Sequence, residues 1–171
     1  TYRGLPHLDY APSITYTVMR CAELPGVQRR YLVLMVMSGT YTIVIPTRNR
    51  CERLIEALRS VARLQRPELL AEVIVVDDGS TDGTREALAE LDLEVPVRVI
   101  TNPSRGAAAA RNAGVEAAAS EFILFMDDDC VAAPDLLVQH HRLRTAHKRP
   151  VAIRGRIDWP PDRPVTWFMR F

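Results

Sequence analysis

Several things are scarce in this 171-residue chain, and each shortage removes a class of function. Its three cysteines, Cys21, Cys51 and Cys130, are odd in number, widely spaced and without a C-x-x-C pair. Neither a disulfide framework nor a zinc site is expected from them. The four histidines form no H-E-x-x-H pattern. Three of them, His140, His141 and His147, fall on one late helix, where surface or half-buried positions are expected. No G-x-G-x-x-G follows a strand-like run, and no G-x-x-x-x-G-K-[ST] occurs, so dinucleotide and P-loop readings lose their main support. The net charge is only +1, so no nucleic-acid partner is expected. A membrane-spanning run is missing as well. The uncharged stretch from Tyr31 to Thr47 is interrupted by Ser38, Gly39, Thr40, Thr42 and Pro46. It falls short of the roughly 20 apolar residues a span needs, and it starts too deep in the chain for an ordinary signal peptide. A cytoplasmic location is expected, with peripheral contact at the cytoplasmic face of a membrane left open.

What is present suits one globular domain: 47% hydrophobic and 25% charged residues. Residues 1–36 carry Pro, Tyr and Arg without a sustained period, so residues 1–39 are expected to lie outside the fold. From Tyr41 the pattern turns regular. Tyr41 to Pro46 is a β-branched strand closed by proline. Cys51, Leu54, Ile55, Leu58, Val61 and Ala62 recur at helical spacing. Val73 to Val76 is a second strand, and Thr84 to Leu91 a helix with Ser80, Thr81 and Asp82 as candidate caps. Val97 to Ile100 is a third strand, Gly106 to Ala119 an alanine-rich helix and Phe122 to Met126 a fourth strand. A helix runs from Pro134 to about His147, and Val151 to Ile157 reads as a fifth strand. Strands alternating with helices predict an α/β fold with a mainly parallel sheet. The domain is expected over 40–158.

Such sheets bind ligands beyond the carboxyl ends of their strands. Three polar clusters fall there: Pro46-Thr47-Arg48-Asn49, Asp77-Asp78-Gly79 and Asp127-Asp128-Asp129. Three adjacent carboxylates ending a buried strand repel one another, and a divalent cation relieves the repulsion. Hard oxygen ligands suit Mg2+ or Mn2+. Solvated acidic turns account for the same strings, and an ordinary surface position accounts equally for Arg111.

Together the strings Ile43-Val-Ile-Pro-Thr-Arg-Asn-Arg50, Val75-Val-Asp-Asp-Gly-Ser-Thr-Asp-Gly-Thr84, Ala110-Arg-Asn-Ala-Gly114 and Phe125-Met-Asp-Asp-Asp129 resemble the family 2 glycosyltransferases, in order and content. The resemblance covers about Tyr41 to Ile157. It implies the GT-A fold, a nucleotide-sugar donor (usually a UDP-sugar) and a Mn2+ or Mg2+ cofactor. By the same resemblance, Pro46, Thr47 and Arg48 line the nucleotide site. Asp78 bonds the base and Asp77 supports its loop. Arg111 lies near the nucleotide. Asp127 and Asp129 bind the metal, with Asp127 or Asp128 at the ribose or a metal-bound water. The acceptor, whether sugar, lipid or protein, stays open. The family's general base lies well past the Asp-x-Asp, so it is expected beyond the chain end, and residues 159–171 read as the start of the acceptor side. Two other classes are weighed: a non-catalytic nucleotide-sugar-binding module, and a nucleotidyltransferase, which would want a glycine-rich basic loop where Pro46 to Arg50 has no glycine.

Overall fold

The computed structural model describes residues 18–20, 39–147 and 151–158. Its strands are β1 (Val18–Arg20), β2 (Tyr41–Thr47), β3 (Leu70–Asp77), β4 (Val97–Thr101) and β5 (Phe122–Phe125). The helices are α1 (Cys51–Val61), α2 (Thr84–Glu90), α3 (Ala107–Ala117) and α4 (Leu136–Ala146), with a 3-10 turn at Pro67–Leu69. The sheet order is β1-β5-β2-β3-β4. β2, β3, β4 and β5 run parallel, and β1 adds an antiparallel edge.

The strands read as continuous apolar runs because both faces are covered. Side chains alternate between the two faces. Ile43, Ile45, Val73, Val75 and Leu124 join Leu54, Leu58 and Leu137 in the larger core, which holds α1 and α4. Val44, Ile74, Val76 and Ile123 pack instead with Ala110 and Ala113 of α3. The alanine-rich sequence of α3 therefore has a purpose in packing. Gly114 carries it furthest: a Cβ built there would lie 2.3 Å from Val44 Cγ1.

The order in which strands are added reverses between β2 and β5. From β2 the chain steps to β3 and β4, and then crosses back through α3 to β5 on the other side of β2. Such a switch point leaves a crevice at the carboxyl ends. Pairing of β2 with β5 ends at Val44 and Phe125. Pro46 lies beyond that pairing, so its missing N–H costs no ladder bond to β5.

Three expectations need revision. Residues 1–39 were expected outside the fold, yet Val18–Arg20 pairs with β5, with Val18 opposite Leu124. β5 has an open backbone edge there, and hydrogen-bonding groups on an edge favour a partner strand whatever the local side-chain period. The remainder of 1–38 lies outside the described residues, as does 159–171. Val151 to Ile157 forms no strand. Its alternation survives only as alternating exposure, with Ile157 packed on the larger core. His140 is buried at 3% exposure, and burial lowers its pKa. No helix among the described residues is long and apolar enough to cross a membrane.

Candidate active site

A cavity of about 340 Å³ opens at the carboxyl edge of the sheet. It is lined by Pro46, Thr47, Arg48, Arg50, Asp78, Ala107, Ala110, Arg111, Asp127, Asp128 and Asp129. Strand ends β2, β3 and β5 and the start of α3 thus meet in one place. Of the residues given a nucleotide or metal role from the resemblance, all but Asp77 line this cavity.

The acidic run is sorted by its surroundings. β5 stops when Met126 N–H donates to Val44 O at 3.1 Å, and a turn follows, with Cys130 N–H donating to Asp127 O at 3.2 Å. Asp128 is buried, and its Oδ2 accepts 2.8 Å from the Thr47 hydroxyl. This bond joins the ends of the first and last parallel strands. Asp127 Oδ1 accepts 2.6 Å from Arg111 Nη2. Asp129 is exposed, and its Oδ2 accepts 3.0 Å from Arg50 Nη1. The same Arg50 nitrogen donates to Asp128 Oδ1 at 3.1 Å. Single ligand atoms of Asp127, Asp129 and Cys130 lie within 4.8 Å of one another. Two carboxylates at that spacing suit a hard divalent cation, and the buried thiol adds no hard donor.

Asp78 is held at the opposite wall. Its Oδ1 accepts 2.6 Å from Asn102 Nδ2, and its Oδ2 accepts 3.1 Å from the Gly106 N–H. Gly106 has φ of 101°, a left-handed value that favours glycine. It turns the chain into α3 and brings its own amide to the carboxylate. Arg48 stands 3.7 Å from Asp78 Oδ2.

Asp77 takes the loop-supporting place expected of it and does not line the cavity. It is 0% exposed and lies beneath the loop rather than on the cavity wall. Its Oδ1 accepts 2.9 Å from the Ser80 N–H, and Oδ2 accepts 2.6 Å from Arg85 Nε. Arg85 Nη2 continues to the Thr101 hydroxyl at 2.7 Å. Burial works to raise the Asp77 pKa, but the bonds from Ser80 and Arg85 outweigh it and leave the carboxyl below its ordinary value. Asp77 braces the loop that presents Asp78.

A second set of bonds locks that loop to the one after β2. Asn49 has φ of 51°, which asparagine tolerates better than most residues. Its N–H donates to Ser80 Oγ at 3.0 Å, and its Oδ1 accepts 2.7 Å from the Thr81 N–H. Asp82 Oδ2 accepts 3.0 Å from the Cys51 N–H, capping α1 from another loop. Asp82 also accepts from the Thr84 N–H and hydroxyl at the start of α2, whose N-cap is Gly83.

Arg50, Asn102 and Gly106 were missed as site residues in the sequence. Arg50 left one usable signal. It is the N-cap of α1, where a positive charge opposes the helix dipole, so a partner elsewhere was implied. Asn102 and Gly106 left no such signal, because their contacts exist only once α3 has crossed the sheet.

The sequence pattern defining glycosyl transferase family 2 matches residues 42–167. "Glycosyltransferase AglE" of Haloferax volcanii is 34% identical over 94 residues, which cover 52% of this chain and 30% of that protein. The structure of Staphylococcus aureus TarS 1–349 in complex with UDP-GlcNAc matches with a TM-score of 0.57 at 27% identity, over 63% of this chain and 32% of that one. The mannosyltransferase PcManGT from Pyrobaculum calidifontis, in complex with GDP-Man and Mn2+, matches with a TM-score of 0.54 at 30% identity, over 60% of this chain and 32% of that one. The chain therefore spans less than a third of the length of these relatives. The parallel sheet with its flanking helices is the GT-A arrangement. The acidic cluster stands at its carboxyl edge, and the family pattern runs through every strand that builds the cavity, so the chain belongs to glycosyl transferase family 2.

Proposed function

We propose that this chain is the donor-binding portion of a glycosyltransferase, which takes a sugar from a nucleoside diphosphate sugar, a UDP-sugar foremost, with Mn2+ or Mg2+. One observation carries the reading: Thr47, Asp78, Arg111 and Asp127–Asp129 come from distant parts of the sequence and line one cavity. The complexes of TarS with UDP-GlcNAc and of PcManGT with GDP-Man and Mn2+ support it.

The chain's own groups divide the work. Asp78, oriented by Asn102 and Gly106, accepts an N–H of the base. Thr47 fixes Asp128 by its hydroxyl, which leaves Asp127 and Asp129 to hold the cation. Arg48 and Arg111 supply positive charge at the cavity wall for the diphosphate. A bound cation supplies Lewis-acid stabilisation of charge on the leaving diphosphate.

Thermal melts with a panel of nucleotides and nucleotide sugars, with and without Mn2+, test the reading. The wild type should be stabilised by UDP most strongly when Mn2+ is present. No metal-dependent shift with any nucleotide would reject donor binding by this chain. Two variants sharpen the test. Asp78→Ala should weaken UDP binding with or without metal by about 1.5–3 kcal/mol, the worth of a hydrogen bond to a charged group. Unchanged affinity in the folded variant would remove Asp78 from the base site. Asp129→Asn should change stability by less than about 1 kcal/mol without ligand, since its partners Arg50 and Arg53 are largely exposed. With Mn2+ and UDP at a hundredfold excess over Kd it should lose most of the roughly 2.7 kcal/mol that such binding confers. An effect independent of metal would make Asp129 a structural turn residue.

A further inference from the structure

Arg50 has no part in the donor reading so far, yet it makes the most central contact in the acidic cluster. One nitrogen, Nη1, bridges Asp128 Oδ1 at 3.1 Å and Asp129 Oδ2 at 3.0 Å. Nothing in α1 accounts for it: Arg50 makes no side-chain capping bond there, and its charge opposes the helix dipole. Neighbouring carboxylates need a shared positive charge, and Arg50 supplies it. Asp128 is the main source of the field that raises the Arg50 pKa. The Arg50 side chain is 49% exposed, so it has open space to swing into. Arg111 is placed differently, on Asp127 alone.

We propose that Arg50 is a displaceable counter-ion, holding the Asp128 and Asp129 carboxylates until a divalent cation takes Asp129, and then giving its charge to the donor's diphosphate. The inference rests on the donor reading above and adds an order of events to it. A cation arriving alone must take Asp129 from Arg50 and leave it Asp128 as its only bonded carboxylate. A cation arriving with a diphosphate provides Arg50 with a new anion. The two ligands therefore reinforce each other through this one side chain, and by linkage the effect is mutual.

The test is Mn2+ titration of the full chain without nucleotide, followed by electron paramagnetic resonance of the free ion, and then UDP titration at saturating Mn2+. Arg50→Met should bind Mn2+ alone about 5- to 10-fold more tightly than wild type, because the competing charge is gone. The same variant should bind UDP about 10-fold more weakly at saturating Mn2+. Arg50→Lys keeps the charge and should retain UDP binding, which separates charge from fold. Unliganded melts of both variants check that the fold is intact. A merely structural Arg50 would move both affinities in one direction. Mn2+ affinity unchanged or lower in Arg50→Met, beside a wild type that binds both ligands, overturns the exchange and leaves the donor reading standing. A wild type that binds neither Mn2+ nor UDP overturns the donor reading, and the exchange with it.

Discussion

Replacing Asp77 with alanine is expected to cost about 3–4 kcal/mol of stability at neutral pH, measured by urea denaturation. The carboxylate is 0% exposed and binds both the Ser80 N–H and Arg85 Nε. Its removal leaves a partly buried amide without its acceptor and leaves Arg85 only the Thr101 hydroxyl. Arg85 is 48% exposed and can turn to water, which keeps the loss below that of a fully enclosed pair. The effect should depend on pH, and its sign follows from the depressed pKa. The folded carboxyl titrates below its ordinary value of 3.8, so its contribution is fully present above that value. The contribution fades as pH falls from there through the lower, folded value. Asp77→Asn keeps the shape and loses the charge. Its deficit against wild type should therefore shrink as the pH is lowered below 3.8. A deficit that is the same at pH 7 and at pH 3 would mean that the Asp77 charge is not what stabilises the loop.

The second large loss is expected at Gly114. A methyl there would meet Val44 Cγ1 at 2.3 Å, Cγ2 at 3.0 Å and Cβ at 3.2 Å. Val44 sits on the central strand β2 between two neighbours and cannot retreat. Alanine would gain about 1 kcal/mol in helix propensity, yet overpacking of this severity should outweigh it. Gly114→Ala should lose about 2 kcal/mol net, and Gly114→Val about 3 kcal/mol or more. Room can be made on the other side of the contact. In a double-mutant cycle, Val44→Ala combined with Gly114→Ala should lose about 1 kcal/mol less than the two single changes added together. Simple additivity would show that the strand and helix do not compete for this space. Because Arg111 rides on the same helix, Gly114→Ala should also weaken its 2.6 Å bond to Asp127.

Much of the architecture was legible in the sequence because apolar runs buried on both faces are hard to mistake. Phe122 to Met126 became a strand within a residue of its expected bounds, and Val73 to Val76 became the inner part of one that begins three residues earlier, at Leu70. The clusters at their ends converged because the parallel sheet aligns its carboxyl ends. What the sequence hid was direction and partnership. Asp77 and Asp78 are adjacent and chemically identical, yet a strand turns successive side chains opposite ways. One went under the loop and the other into the cavity. Arg50 was written within a telling string, but its partner Asp128 lies 78 positions away in the sequence. Val151 to Ile157 has the alternation of a strand and found no edge to pair with. Val18–Arg20 has no period and found one, on the open side of β5.

The bond between Thr47 and Asp128 links residues 81 positions apart. Closing so long a loop carries an entropic cost that local contacts cannot repay in advance. The first strand with its helix forms from nearby sequence, but the cavity has no far wall until the chain has passed through three more strands and returned beside the first. A nascent or refolding chain thus carries most of its hydrophobic core before it has anywhere to put a nucleotide. A donor bound as proposed would act as a latch on this long-range closure.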